Sequence, residues 1–277
     1  MVERENPRVS LLVLIFTWVE VIVVGGAAGL YTVPALVTPF WPWALTPFNA
    51  MFVGATYFAA WVPLVIFAWV GRWNPGRLVM PMIGVFTGYV LIISLVGFGS
   101  LLWDRIGTYV WLALYLALPL VTAVHLWWYR HWPPVGALPT PPLWRLLLLI
   151  QAAALGLYGL AMLVAPLETN SWWPWPIDAF NGRMYGANFL TLAVASLILS
   201  RVGSRLERLT LGLTAFTLGV VAIVGLVKTD IGLNRVIWTA PNTLAWLALF
   251  AAIAIIGGGL ALSARNGGAA VPVTRSL

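Results

Sequence analysis

Phe40-Trp41-Pro42-Trp43-Ala44-Leu45-Thr46-Pro47-Phe48-Asn49-Ala50 returns 132 residues later as Trp172-Trp173-Pro174-Trp175-Pro176-Ile177-Asp178-Ala179-Phe180-Asn181-Gly182. Trp41, Pro42, Trp43, Phe48, Asn49, Gly54 and Ala55 recur as Trp173, Pro174, Trp175, Phe180, Asn181, Gly186 and Ala187 without a gap. Working outward at the same offset, Pro34 matches Pro166 and Val70-Gly71 matches Val202-Gly203. With small shifts, Phe86-Thr87 matches Phe216-Thr217, Ile106-Gly107 matches Ile231-Gly232, and Trp111 to Tyr115 matches Trp246 to Phe250. The chain therefore reads as an internal duplication.

The medium of that duplication follows from composition. Sixty-one per cent of the residues are hydrophobic and eight per cent charged, with a mean hydropathy of +0.94. Soluble domains carry about 25% charged residues, so this is the composition of an integral membrane protein. A bilayer core of about 30 Å takes roughly 20 apolar residues per helix. Eight stretches qualify, near 10 to 33, 47 to 70, 78 to 100, 108 to 129, 144 to 165, 179 to 200, 209 to 227 and 240 to 263. The first follows Arg4 and Arg8, but its run exceeds the roughly 7 to 15 residues of a signal peptide's apolar region, and no clear cleavage site follows. It is expected to remain in the mature protein.

Four spans fall in each copy. An even number per copy gives the two copies the same orientation, with a pseudo-twofold axis along the membrane normal. The expected organisation is a first four-helix repeat at 1–132, a cytoplasmic linker at 133–143, a second four-helix repeat at 144–265 and a cytoplasmic tail at 266–277. With the N-terminus inside, eleven basic residues lie inside (Arg4, Arg8, Arg72, Arg77, Arg130, Arg145, Arg201, Arg205, Arg208, Arg265 and Arg275) and four outside (Arg105, Arg183, Lys228 and Arg235). The positive-inside rule then puts both termini in the cytoplasm and both Trp-Pro-Trp segments outside, and the plasma membrane is the expected location.

Cysteine is absent and there are two histidines, His125 and His131. Thiolate chemistry is excluded, and little is left for haem or metal ligation. No phosphate-binding loop, dinucleotide fingerprint or hydrolase motif occurs, so no cofactor is expected and an enzyme is the weaker reading. The basic residues are scattered singly between apolar runs, which argues against nucleic acid.

The outer face collects the residues able to grip a ligand: Trp41, Trp43, Asp104, Arg105, Trp173, Trp175, Asp178, Arg183, Asp230 and Arg235. Aromatic rings beside charged groups suit an amphipathic molecule, although tryptophan also collects at membrane interfaces for anchoring alone. Asp104-Arg105 and Lys228-Thr229-Asp230 read as equivalent turns after the third helix of each half. Thr46 and Asp178 read as helix caps, with Asn49 and Asn181 three residues on in the position of a capping box.

Glu20 is the one carboxyl group deep in an apolar span, expected to face the bundle interior, find a partner or hold a proton. Its counterpart in the second copy is Ala152. The expectation is a polytopic protein that binds a ligand, lipid or membrane-protein partner at an outward cleft between the halves. The alternatives are a small transporter coupling protons through Glu20, an accessory subunit of a larger complex, and an enzyme acting on a lipid-linked substrate.

Overall fold

The computed structural model describes residues 6–266. Arg4, Arg275 and the tail beyond Asn266 lie outside the described residues. Eight helices are long and apolar enough to cross a membrane: α1 (Leu11–Ala27, continued by the short turn Gly29–Thr32), α2 (Pro47–Val70), α3 (Trp73–Val96), α4 (Ile106–Tyr129), α5 (Pro142–Val164), α6 (Ala179–Arg201), α7 (Arg205–Leu233) and α8 (Pro241–Asn266).

Local chemistry sets their ends. Thr46 Oγ1 accepts from Asn49 N at 3.3 Å ahead of Pro47, and Asp178 Oδ1 accepts from Asn181 N at 2.9 Å. Proline at the first helical position lacks only a donor that would have no intrahelical partner. Ser204 and Glu207 form a reciprocal capping box at the start of α7. α2 stops at Gly71 and α7 at Asn234, both in the left-handed conformation that closes a helix.

Two spans depart most from their expected bounds. The segment from Trp73 is kinked at Asn74, whose backbone is non-helical, so the continuous helix of α3 starts after Asn74, a few residues before 78, and it ends at Val96, short of 100. α7 is longer than 209–227 at both ends: the capping box starts it early, and Lys228, Thr229 and Asp230 lie in its final turns instead of a loop. Thr229 Oγ1 donates back to Gly225 O at 2.8 Å, so this segment keeps helical hydrogen bonding where polar residues suggested a turn.

α2, α3, α6 and α7 form the centre of the bundle, with α1 packed on α2, α4 on α3, α5 on α6 and α8 on α7. Between the halves the principal contacts are α2 with α7 and α3 with α6. Small residues bring the helices to backbone distance: a Cβ on Gly159 of α5 would lie 2.9 Å from Gly186 O of α6, and one on Gly219 of α7 would lie 2.4 Å from Phe250 O of α8. In lipid such close packing, with directional hydrogen bonds, holds helices together, because apolar side chains are no worse solvated by lipid tails than by each other.

The two ends of the bundle are tied differently. At the Trp-Pro-Trp end, Leu102 N donates to Pro42 O at 2.7 Å. At the opposite end, Trp73 N donates to Pro7 O at 2.9 Å, Asn74 Nδ2 donates to Val135 O, and Leu138-Pro139 of the connecting segment pairs antiparallel with Val202-Gly203. There Arg77 of α3 meets Glu207 of α7 through two hydrogen bonds, Nε to Oε1 at 2.7 Å and Nη2 to Oε2 at 3.0 Å. Glu207 is fully buried, and its Oε2 also accepts from Ser204 N at 2.7 Å.

Removing one partner of a buried pair strands the other charge, whereas replacing both with apolar side chains is often close to neutral. Arg77→Met is therefore expected to lower stability by about 3–5 kcal/mol, and Arg77→Met/Glu207→Met to recover most of it. Thermal unfolding of the purified single and double variants in detergent measures the difference.

Candidate functional site

Each Trp-Pro-Trp segment turns its rings inward. Trp41, Trp43, Trp173 and Trp175 are all buried. Trp41 and Trp43 meet edge-to-face at 5.1 Å, and Trp173 and Trp175 at 5.0 Å. Trp111 of α4 stands 4.9 Å from Trp43, and Trp246 of α8 stands 5.6 Å from Trp175. Trp111 and Tyr115 lie 4.2 Å apart, as Trp246 and Phe250 do at 4.3 Å.

The indole N–H groups of the second tryptophans cross between the halves. Trp43 Nε1 donates to Asn181 Oδ1 at 2.9 Å, and Trp175 Nε1 donates to Asn49 Oδ1 at 2.8 Å. Tyr185 Oη adds a second bond to Asn49 Oδ1 at 2.9 Å. Asn181 Nδ2 reaches back to its own cap, Asp178 Oδ2, at 2.6 Å. The two asparagines thus do more than the local capping expected of them, since each receives a buried indole from the opposite half of the chain. Phe48 stacks on Trp175 at 5.6 Å, and Phe180 meets Trp43 edge-on at 5.4 Å.

The charged residues expected to join these rings around one hollow serve mostly as loop ties. Arg105 Nη1 donates to Thr38 O at 3.0 Å and Trp41 O at 2.8 Å. Arg183 Nε donates to Leu163 O at 3.2 Å. Asp230 accepts from Arg235 N at 2.7 Å, Val236 N at 2.8 Å and Trp238 Nε1 at 2.9 Å, which fixes the turn after α7. Asp104, Asp178 and Arg235 are exposed.

The hollow lies instead within the first half. A cavity of about 330 Å³ runs beside α1 from Glu20 to Trp41 and Pro42, with walls from α2, α3 and α4 and smaller contributions from α6 and α7. Phe16, Val19, Val23 and Ala27 of α1 line it. Their counterparts at the repeat offset, Leu148, Gln151, Leu155 and Gly159 of α5, are buried in packing. Val19 and Val23 keep 44% and 39% of their surface, against 5% and 2% for Gln151 and Leu155. α1 therefore stands off from its neighbours along the face that α5 packs solid. It is held by its ends and edge: Ser10 N donates to Tyr129 Oη at 2.8 Å and Trp61 Nε1 donates to Val21 O at 2.9 Å.

The polar groups of this cavity differ from those at the matching positions of the second half, where Gln151 Nε2 donates to Ser196 Oγ at 2.9 Å. Glu20 is buried, about 14 Å along α1 at 1.5 Å per residue, and its Oε2 finds no partner among the described residues. Tyr57 and Tyr115 share a hydroxyl–hydroxyl hydrogen bond of 2.6 Å. Their second-half counterparts, Phe189 and Phe250, are fully buried apolar rings 6.2 Å apart. Trp41 Nε1 is buried without a partner among the described residues, whereas Trp173 Nε1 donates to Tyr158 Oη at 2.9 Å. Gly26 occupies the position equivalent to Tyr158.

Reading the sequence for charge and tryptophan missed Tyr57, Tyr115 and the asparagine acceptors. The signal available for the tyrosines was their difference from Phe189 and Phe250 in the other copy. The chain matches no family model, no curated protein and no solved structure, so the reading of this site rests on its geometry.

A buried donor left without its acceptor costs about 1–3 kcal/mol. Asn49→Ala orphans Trp175 Nε1 and Tyr185 Oη, while Asn181→Ala orphans Trp43 Nε1. Both variants are expected to melt earlier than the parent, with Asn49→Ala the more destabilised. Melting curves of the two in the same detergent check the order.

Proposed function

We propose that this protein is a membrane-embedded binding protein for an amphipathic small molecule, seated in the cavity between α1 and the rest of the first half. The observation that carries the reading is that two of the ten buried side-chain polar atoms without a partner among the described residues, Glu20 Oε2 and Trp41 Nε1, belong to residues lining one largely apolar cavity. Buried polar atoms are ordinarily satisfied. A pocket of a few hundred Å³ with apolar walls and a few convergent polar groups is the usual form of a small-molecule site.

The scaffold around it is two tandem four-helix repeats in parallel orientation, related by a pseudo-twofold along the membrane normal. Three pairs of equivalent positions support this. Trp43 to Asn181 and Trp175 to Asn49 are reciprocal contacts, the α2–α7 and α3–α6 contacts exchange under the same relation, and Arg77 and Glu207, equivalent at the offset that aligns Phe86 with Phe216, meet each other. The distribution of arginine and lysine supports cytoplasmic termini and outward Trp-Pro-Trp segments.

The ten outward residues expected to hold a ligand take two roles on this reading. Trp41 contributes to the seat, and Trp43, Trp173, Trp175, Arg105, Asp178, Arg183 and Asp230 brace the halves and loops around it. Asp104 and Arg235 remain on the surface. A transporter is the second reading, favoured by the reach of the cavity from Glu20 near mid-membrane to Trp41 and Pro42 at the bundle end.

Filling the space tests the seat. Val23 lines the cavity and keeps 39% of its surface, so Val23→Trp is expected to leave folding intact. The neutral apolar dye Nile red should bind the parent protein in nanodiscs saturably, above the signal of empty nanodiscs, and bind Val23→Trp at least about tenfold more weakly, the loss of roughly 1.4 kcal/mol. Equal saturable binding by both proteins would remove the cavity as the seat.

A further inference from the structure

We propose that the ligand of this cavity is a lipophilic organic cation, its charge met by the Glu20 carboxylate and its body held against the rings of Trp41, Trp111 and Tyr115. This rests on the cavity being a ligand seat, and it adds the sign of the ligand's charge.

The sign follows from what faces Glu20. No lysine, arginine or histidine lines the cavity. The titratable groups beside Glu20 there are Tyr57 from α2 and Tyr115 from α4, two phenols occupied with each other at 2.6 Å. The polar lining residues from α3, α6 and α7 are uncharged: Thr87, Asn188, Thr191 and Thr214. A carboxylic acid, a sulfonate or a phospholipid headgroup would bring negative charge to a site holding an acid and no base. A cation supplies a counter-charge to a carboxyl group that, so deep in a membrane protein, would otherwise keep its proton.

The walls suit the same chemistry. Trp41 lies 5.5 Å from Trp111 and 5.7 Å from Tyr57, and Trp111 lies 4.2 Å from Tyr115. The faces of such rings carry negative quadrupole density and attract cations, most strongly where water is excluded. Trp41 Nε1 remains free to donate to an oxygen or nitrogen atom of the ligand.

Charge and space also occur together. In the second half the position of Glu20 is Ala152, the equivalent tyrosines are phenylalanines, and α5 fills the space that α1 leaves open. A packing defect alone would not bring an acid with it, whereas a cation site requires both.

The test compares two ions of one shape and opposite charge. Full-length protein in phosphatidylcholine nanodiscs is titrated with tetraphenylphosphonium and with tetraphenylborate, with empty nanodiscs as blank. The phosphonium should bind saturably and the borate should not. Glu20→Gln should weaken phosphonium binding by about thirtyfold or more, as expected when one partner of a buried charge pair is lost, while Nile red still binds. Borate binding as tight as phosphonium, or a folded Glu20→Gln variant that binds phosphonium like the parent, overturns the assignment. If Nile red binding remains sensitive to Val23→Trp in that case, the seat survives and only the ligand's charge is wrong. The comparison of the two ions on unaltered protein decides the sign even if Glu20→Gln fails to fold.

Discussion

Two crossed hydrogen bonds, from Trp43 to Asn181 and from Trp175 to Asn49, govern how this bundle assembles. Eight apolar helices in lipid gain little from hiding apolar surface against each other, so direction has to come from groups that lipid cannot satisfy. An indole N–H in such a place is stabilised by an acceptor within the protein, because lipid tails offer none. Here the acceptor lies at the first turn of a helix in the opposite half, and the exchange is mutual. It places α2 and α6 at the centre, with their N-terminal turns beneath each other's aromatic loops. With α3 and α7 completing the core, α1 and α4 are left at the periphery, and only a peripheral helix can stand away from its neighbours without opening the core.

Much of this was legible in the residues. Span count follows from apolar runs, since lipid permits little else, and α2 begins and ends at Pro47 and Val70 as Thr46-Pro47 and Gly71 predict. The inward use of the Trp-Pro-Trp segments was harder to read, because tryptophan at a membrane boundary is equally at home facing lipid headgroups. Asn49 and Asn181 have a sufficient local explanation as residues of a helix first turn, and nothing nearby in sequence points to donors 126 and 138 residues away. Asp230 looked like part of a solvated turn, yet it closes one from inside the helix, gathering two backbone N–H groups and an indole.

The cavity was the least legible feature. Nothing in the apolar pattern of α1 distinguishes a helix that packs flush from one that stands off, since lipid-facing and cavity-facing positions take the same residue types. Comparing the two copies is more informative than either alone. Glu20 against Ala152, Tyr57 against Phe189, Tyr115 against Phe250 and Gly26 against Tyr158 are four of the differences between matching positions, and three of the first-half members line the cavity. On the two-repeat reading, one copy kept the tight packing that stabilises the bundle, and the other was released to acquire chemistry.

The ion pair at the far end bears on how those copies came to differ. Arg77 and Glu207 occupy matching places in the two halves and touch. On the two-repeat reading, a pair of identical halves would set arginine against arginine, or glutamate against glutamate, at a largely buried contact. Such a first half would favour a complement over its own kind, and joining both in one chain supplies that complement at equal dose.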